Sequence, residues 1–213
     1  VNGNHGVNGA GVFVNGDVLT LDNGTLNGNL ASGQGGAVFV NSDGTAEMEN
    51  VWVTQNVASE GAGFYVNYGV LNVDSADITY NRAAGNGGGT LISGGSAAFT
   101  ASPILYNSAA NGAGISTQNS GSLLYRDGQI NGNMASETGG GIYVSEHASA
   151  EVTGASIYDN NALNGAGVAV LTVGSLRLND SEIAGNGASG SGGGLYLTEN
   201  GEAHLRVPAS IYG

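Results

Sequence analysis

The stretch Ile130-Asn131-Gly132-Asn133-Met134-Ala135-Ser136-Glu137-Thr138-Gly139-Gly140-Gly141-Ile142-Tyr143-Val144 decides the fold, because seven other segments of the chain are variants of it. Aligned on its second asparagine, the copies fall at Asn4, Asn29, Asn56, Asn81, Asn107, Asn133, Asn160 and Asn186, at spacings of 25 to 27 residues. A period of this size marks a solenoid. Three residues before each of these asparagines stands an aliphatic residue: Val1, Leu26, Val53, Ile78, Ile104, Ile130, Ile157 and Ile183. Two residues after comes a small one, Gly6 in the first copy and alanine from Ala31 to Ala188 in the others.

A triplet of Gly and Ala follows, as in Gly9-Ala10-Gly11 or Gly139-Gly140-Gly141. The pattern then alternates with period two, with inward pairs such as Val12/Val14, Phe64/Val66 and Ile142/Val144, the signature of a strand with one buried face. A polar turn of about five residues leads to a second alternating pair, clearest at Leu19/Leu21, Leu71/Val73 and Leu176/Leu178. No copy can bury its apolar edge alone, whereas stacked copies bury it together. The reading is therefore all-β: a right-handed parallel β-helix of about eight coils, 25 to 27 residues each, with three short strands per coil. The hand follows the general preference of parallel crossovers. At a strand spacing of about 4.8 Å, eight coils make a rod roughly 35 to 40 Å long. Tandem helices are excluded by the period and by 40 glycines, which weaken any helix.

In this frame the asparagine column is a structural ladder, each amide bonding to the amides of the coils above and below. The Gly/Ala triplet is a corner where a side chain would strike the next coil and where glycine supplies positive φ. Pro103 and Pro208 remove ladder donors and are expected to disturb the strands around them.

The unbroken repeat makes residues 1–213 a single β-helix domain. The chain opens on Val1 without methionine, and its two ends match in phase. It is therefore expected to be either a piece of a longer array or a unit that assembles end to end. The formal net charge is −13, with no lysine and only Arg82, Arg126, Arg177 and Arg206 as cations. Nucleic acid and anionic lipid need clustered cations and are set aside as partners. The longest apolar run, around Val168 to Val173, is too short to span a bilayer. There is no cysteine, hence no thiol chemistry and no disulfide framework, a composition compatible with an extracellular rod held by its ladders.

Catalytic constellations are thin. Asp74 with Asp77, and Asp180 with Glu182, are close in sequence but stand in turns, and a solvated acidic turn is the plainer account of each. His5, His147 and His204 lie in separate coils at unrelated positions, so neither a metal cluster nor a triad emerges. No enzyme activity and no cofactor are expected. One column invites a functional reading. The outward residue between the first inward pair is Phe13, Phe39, Tyr65, Tyr143 or Tyr196 in five of the coils. Such a column stabilises neighbouring strands, associates laterally with another rod, or binds sugar rings.

Motifs such as Ile78-Thr79-Tyr80-Asn81, Ile104-Leu105-Tyr106-Asn107, Gly35-Gly36-Ala37-Val38 and Gly192-Gly193-Gly194-Leu195 resemble the FxxN and GGA(I/L/V) repeats of chlamydial polymorphic outer membrane proteins. More broadly they resemble the autotransporter-like passenger regions of bacterial surface proteins with pectin-lyase-like folds. The resemblance covers the whole chain, with aliphatic residues in place of the family's phenylalanine. It implies a secreted, surface-displayed stalk or adhesin. The phase match of the ends and the aromatic column add self-association, end to end or lateral, as the expected partnership, beside a host surface ligand. Carbohydrate binding or cleavage is the alternative.

Overall fold

The computed structural model describes residues 1–206 and 209–212, so the expectation attached to Pro208 lies outside the described residues. The chain winds into a parallel β-solenoid of eight coils in which every strand pairs with its counterpart in each adjoining coil. Equivalent positions fall in register: Ile78 pairs with Val53 on one side and Ile104 on the other, and Phe64 with Val38 and Thr90.

Each coil carries four strands, which corrects the expected three. Sheet I is built from short strands that follow the asparagine, beginning with His5–Gly6 and Leu30–Ala31. Sheet II holds the first alternating pair, as in Val12–Asn15 and Phe64–Asn67. Sheet III, the widest, runs from Val18–Asp22 to Glu202–Arg206. Sheet IV runs from Thr25–Asn27 to Ser210–Tyr212 and carries the aliphatic residue that precedes the asparagine. Most sheet I strands are two residues long, too short to show alternation, so only the alanine column betrays them. The turn between sheets II and III is two to four residues, as in Gly16–Asp17 and Ser42–Gly44, tighter than the five expected.

Four strands need four corners, and each corner is made by left-handed backbone. The residue before the ladder asparagine has positive φ in all eight coils, whether it is glycine (Gly28, 64°), glutamine (Gln55, 56°) or tyrosine (Tyr80, 56°; Tyr106, 57°). The corner between sheets III and IV uses Asn23, Asn50, Ser75, Ala101, Asp127, Gly154 and Asp180. Asparagine, aspartate and serine suit such positions because their side chains bond locally to the backbone; Ala101 and the tyrosines are held there by the ladders around them. At the first residue of the triplet only glycine occurs. A Cβ on Gly61 would lie 2.5 Å from the carbonyl oxygen of Phe64, and one on Gly63, the third residue, 2.3 Å from the oxygen of Gly89 in the next coil.

Two cores result. The main one fills the tube with the inward residues of sheets II, III and IV: Ile104, Ile130 and Ile157 are fully buried, as are Phe64 and Phe99. Each side chain of this size stabilises the fold by about 1.5–3 kcal/mol relative to exposure. A second core consists of alanine alone, from the column two residues after the asparagine and from the triplets, including Ala58, Ala62, Ala109, Ala113 and Ala166.

The triplets also alternate. Their middle residue is Ala10, Gly36, Ala62, Gly88, Ala113, Gly140, Ala166 and Gly193. In step with this, the loop from the asparagine to the first triplet glycine advances five residues in odd coils and six in even ones. Just before the triplet, a side-chain oxygen of each odd coil accepts the backbone N–H of the even coil that follows. The pairs are Asn8 to Gln34 (3.0 Å), Glu60 to Asn86 (2.8 Å), Asn111 to Thr138 (3.1 Å) and Asn164 to Ser191 (2.9 Å). From even coil to odd, the same position is joined by a backbone bridge instead: Gln34 with Glu60, Asn86 with Asn111, Thr138 with Asn164. The structural repeat is thus a pair of coils.

The central coils depart locally from the pattern. Pro103 shortens its sheet IV strand to Ile104–Leu105, the irregularity expected of a missing N–H. Tyr125 replaces an aliphatic residue, and its buried hydroxyl lies 2.8 and 2.9 Å from the carbonyl oxygens of Ser102 and Gln129, donating to one at a time. Thr90 and Thr117 point into the main core where neighbouring coils carry valine, isoleucine or phenylalanine, and their hydroxyls have no partner. A buried unpaired hydroxyl is costly, and valine is nearly its isostere. Thr117→Val is therefore expected to stabilise the protein by about 1–2 kcal/mol, read as a higher midpoint in urea with an unchanged slope.

Candidate functional surfaces

The ladder asparagines stand in single file, and their bonds are saturated. Asn81 shows the pattern: its backbone N–H and its Nδ2 both donate to Oδ1 of Asn107, at 2.9 and 3.1 Å. The second Nδ2 hydrogen goes to the carbonyl oxygen of Val53, 2.9 Å away in the preceding coil. Oδ1 of Asn81 in turn accepts the N–H and the Nδ2 of Asn56. Both donors and both acceptor sites of the amide are used. The same set recurs at Asn56, Asn107, Asn133 and Asn160, all essentially inaccessible to solvent. Asn4, Asn29 and Asn186 continue the file at either end. From Asn29 to Asn160 the column holds the rod together and has no valence left for a ligand.

The outward aromatic column is placed less openly than its alternation suggests. The first triplet glycine of each coil lies against the outward residue four positions on. The site of a Gly35 Cβ is 2.7 Å from Cβ of Phe39, and that of Gly139 is 2.8 Å from Cβ of Tyr143. Phe39 is consequently buried, as are Leu91, Ser116 and Ala169 in the same column; Tyr65, Tyr143 and Tyr196 are half-buried, and only Phe13 is half exposed. Phe13, Phe39 and Tyr65 contact edge to face, with ring centroids 5.1 and 4.9 Å apart, a geometry that adds about 0.5–1.5 kcal/mol per pair. Burial raises the Tyr65 phenol above its ordinary range, with Glu60 and Tyr68 adding to the rise and a bond to Ser93 opposing it.

More open aromatics lie elsewhere. Tyr80 and Tyr106 occupy the left-handed corner before the ladder and stack at 5.3 Å with 17° between their planes. Tyr106 lies over Gly132 of the following coil. Both are about half exposed, and so is Trp52. Alternation could not place this pair, because corner residues fall outside any strand; the IxYN motif that recurs at Tyr80 and Tyr106 was the available signal.

The sequence-picked acids are kept apart by the corners. Asp74 ends a strand of sheet III while Asp77 opens one of sheet IV, and Asp180 sits in a corner while Glu182 opens its strand. The three histidines lie in different coils, and His204 has the carboxylate of Glu202 at 3.9 Å and Arg177 beside it in the preceding coil. Among the described residues, no group of three His, Cys, Asp or Glu side chains could hold a metal. The surroundings of Glu60 perturb its carboxyl. Half-burial raises its pKa, opposed by the N–H of Asn86 that its carboxylate accepts. No family profile, curated protein or solved structure matches the chain.

Two outcomes are expected. Asn107→Ala strips the Nδ2 of Asn81 and the carbonyl of Ile78 of their partners inside the rod. It should destabilise the protein by about 3–5 kcal/mol, measured by denaturant unfolding. For Glu60, a folded pKa above the unfolded one means that ionisation weakens the fold as pH rises through and above the ordinary carboxylate range. Glu60→Gln keeps an oxygen for the Asn86 N–H. It should raise the melting temperature at pH 7, with the gain vanishing at pH 3, as thermal scans at both pH values would show.

Proposed function

We propose that this chain is a non-enzymatic, extracellular structural repeat protein, a stalk, adhesin or fibre subunit whose long faces serve adhesion or self-association. The observation that carries the reading is the saturated amide file. The most invariant polar residues of the chain are consumed in holding coils at a fixed rise, and what varies from coil to coil is the outer surface. A protein organised this way presents an extended face rather than a single pocket. The polar, lysine-free surface and the resemblance of the IxxN and GGG motifs to bacterial surface repeats support display outside the cell. Leu197, Leu205 and Ile211 of the eighth coil, inward-facing in register, are 40–45 % exposed. A further coil in the same register, from this chain or from another copy, would cover them.

Carbohydrate binding is the second reading, favoured by the half-exposed Trp52 and the stacked Tyr80 and Tyr106, which offer flat rings of the kind sugars stack against. Negative-stain electron microscopy of concentrated protein tests the first reading. Rods longer than one eight-coil unit of about 40 Å, or bundles of them, are expected, and only dispersed single units would count against self-association. A polysaccharide panel with product detection tests the enzymatic version of the second. Turnover abolished by Asp74→Asn or Asp77→Asn would displace the structural reading.

A further inference from the structure

The outer face of sheet III divides its charge along the rod. In the first three coils its outward side chains include Asp22, Glu47, Glu49 and Asp74, with no cation among them. In coils five to eight the same face carries three of the four arginines, Arg126, Arg177 and Arg206, against two carboxylates, Glu151 and Glu202. Between the two ends lie Ala98 and Leu124, in register and partly exposed. Among the described residues none of these arginines has a carboxylate within 4.0 Å, although Glu151 stands beside Arg177 in the preceding coil. A sheet face with four carboxylates and no cation at one end, and three arginines without an ion pair among the described residues at the other, is a self-complementary pattern.

We infer that sheet III is the lateral interface of an antiparallel pair of rods, each chain's acidic end lying on the basic end of a second copy. A two-fold axis parallel to the strands preserves the outward columns and sets coil one on coil eight. Glu47 then faces Arg177, Asp22 faces Arg206, and Ala98 meets Leu124 at the centre. The parallel arrangement, with the axis along the rod, sets Glu47 on Glu47 and Arg177 on Arg177 and is repulsive. Eight strands at about 4.8 Å, each about 17 Å wide, give roughly 650 Å² per chain. The total of about 1,300 Å² falls within the range of stable interfaces. Each chain carries a net charge of −13, so long-range repulsion opposes the approach. At 0.1 M salt the screening length of about 10 Å is short against the rod, and the charges in direct contact decide the outcome.

This pairing specifies the lateral surface of the self-associating rod proposed above, and the two fail separately: growth end to end, seen by microscopy, needs none of these side chains. The test is sedimentation equilibrium at 0.1 M salt of the whole chain and three variants: Glu47→Arg, Arg177→Glu, and the two combined. The sites are surface positions, and circular dichroism checks that each variant is folded. Wild type and the combined variant should be dimeric. Each single variant sets two like-charged pairs across the interface and should associate at least about tenfold more weakly. An equimolar mixture of the two single variants should recover the dimer, because both charge pairs then join opposite signs: the arginine introduced at position 47 faces the glutamate introduced at position 177, and the unchanged Arg177 faces the unchanged Glu47. A monomeric wild type, a Glu47→Arg variant as dimeric as wild type, or a mixture that stays monomeric would each overturn the proposal.

Discussion

A primary amide has two hydrogens to give and two lone pairs to fill, and inside a protein every one left idle costs free energy. The asparagine file meets that requirement only if each coil supplies one asparagine, at one height, in one orientation. That constraint governs the rest of the rod. Coil length is free to vary between 25 and 27 residues because the variation is confined to two places that the file does not touch. One is the loop before the triplet and the other is the turn between sheets II and III. Everything between keeps register, so Val53, Ile78, Ile104 and Ile130 stack without a gap.

Much of this architecture was legible in the residues. The asparagine column, the aliphatic column before it and the paired alternation are long-range regularities, and only a stack of parallel coils satisfies all three. The fourth strand was not legible, because a strand as short as Arg82–Ala83 carries no period of its own. It exists because its neighbours align it and because alanine at its second position packs a second, narrower core. The five-and-six alternation of the loops could be counted from the sequence, but its meaning depends on which backbone N–H each odd-coil side chain reaches.

The outer surface was harder to foresee. Alternation says which way a side chain leaves its own strand and nothing about what the chain does next. Phe39 leaves sheet II on the outside and is then covered, with the rings of Phe13 and Tyr65 on either side and Gly35 against its Cβ. Tyr80 and Tyr106, by contrast, sit at corners where backbone geometry alone would favour glycine or asparagine, and remain open. The division of charge on sheet III was present in the order of Asp, Glu and Arg along the chain. It became a pattern only when strands 25 to 27 residues apart were laid side by side.

The pairing of odd and even coils bears on how such a rod can change length. An odd coil offers a side-chain oxygen to the coil that follows it, and an even coil offers a bridge of backbone. Excising one coil would bring two loops of the same kind together, each making the same offer and neither able to receive it. Excising two, a block of 51 to 53 residues, restores the sequence of offers. Shuffling of genetic segments within a gene of this type would therefore leave intact rods mainly when it moves whole couplets, and lengths in a lineage of such rods should differ by even numbers of coils.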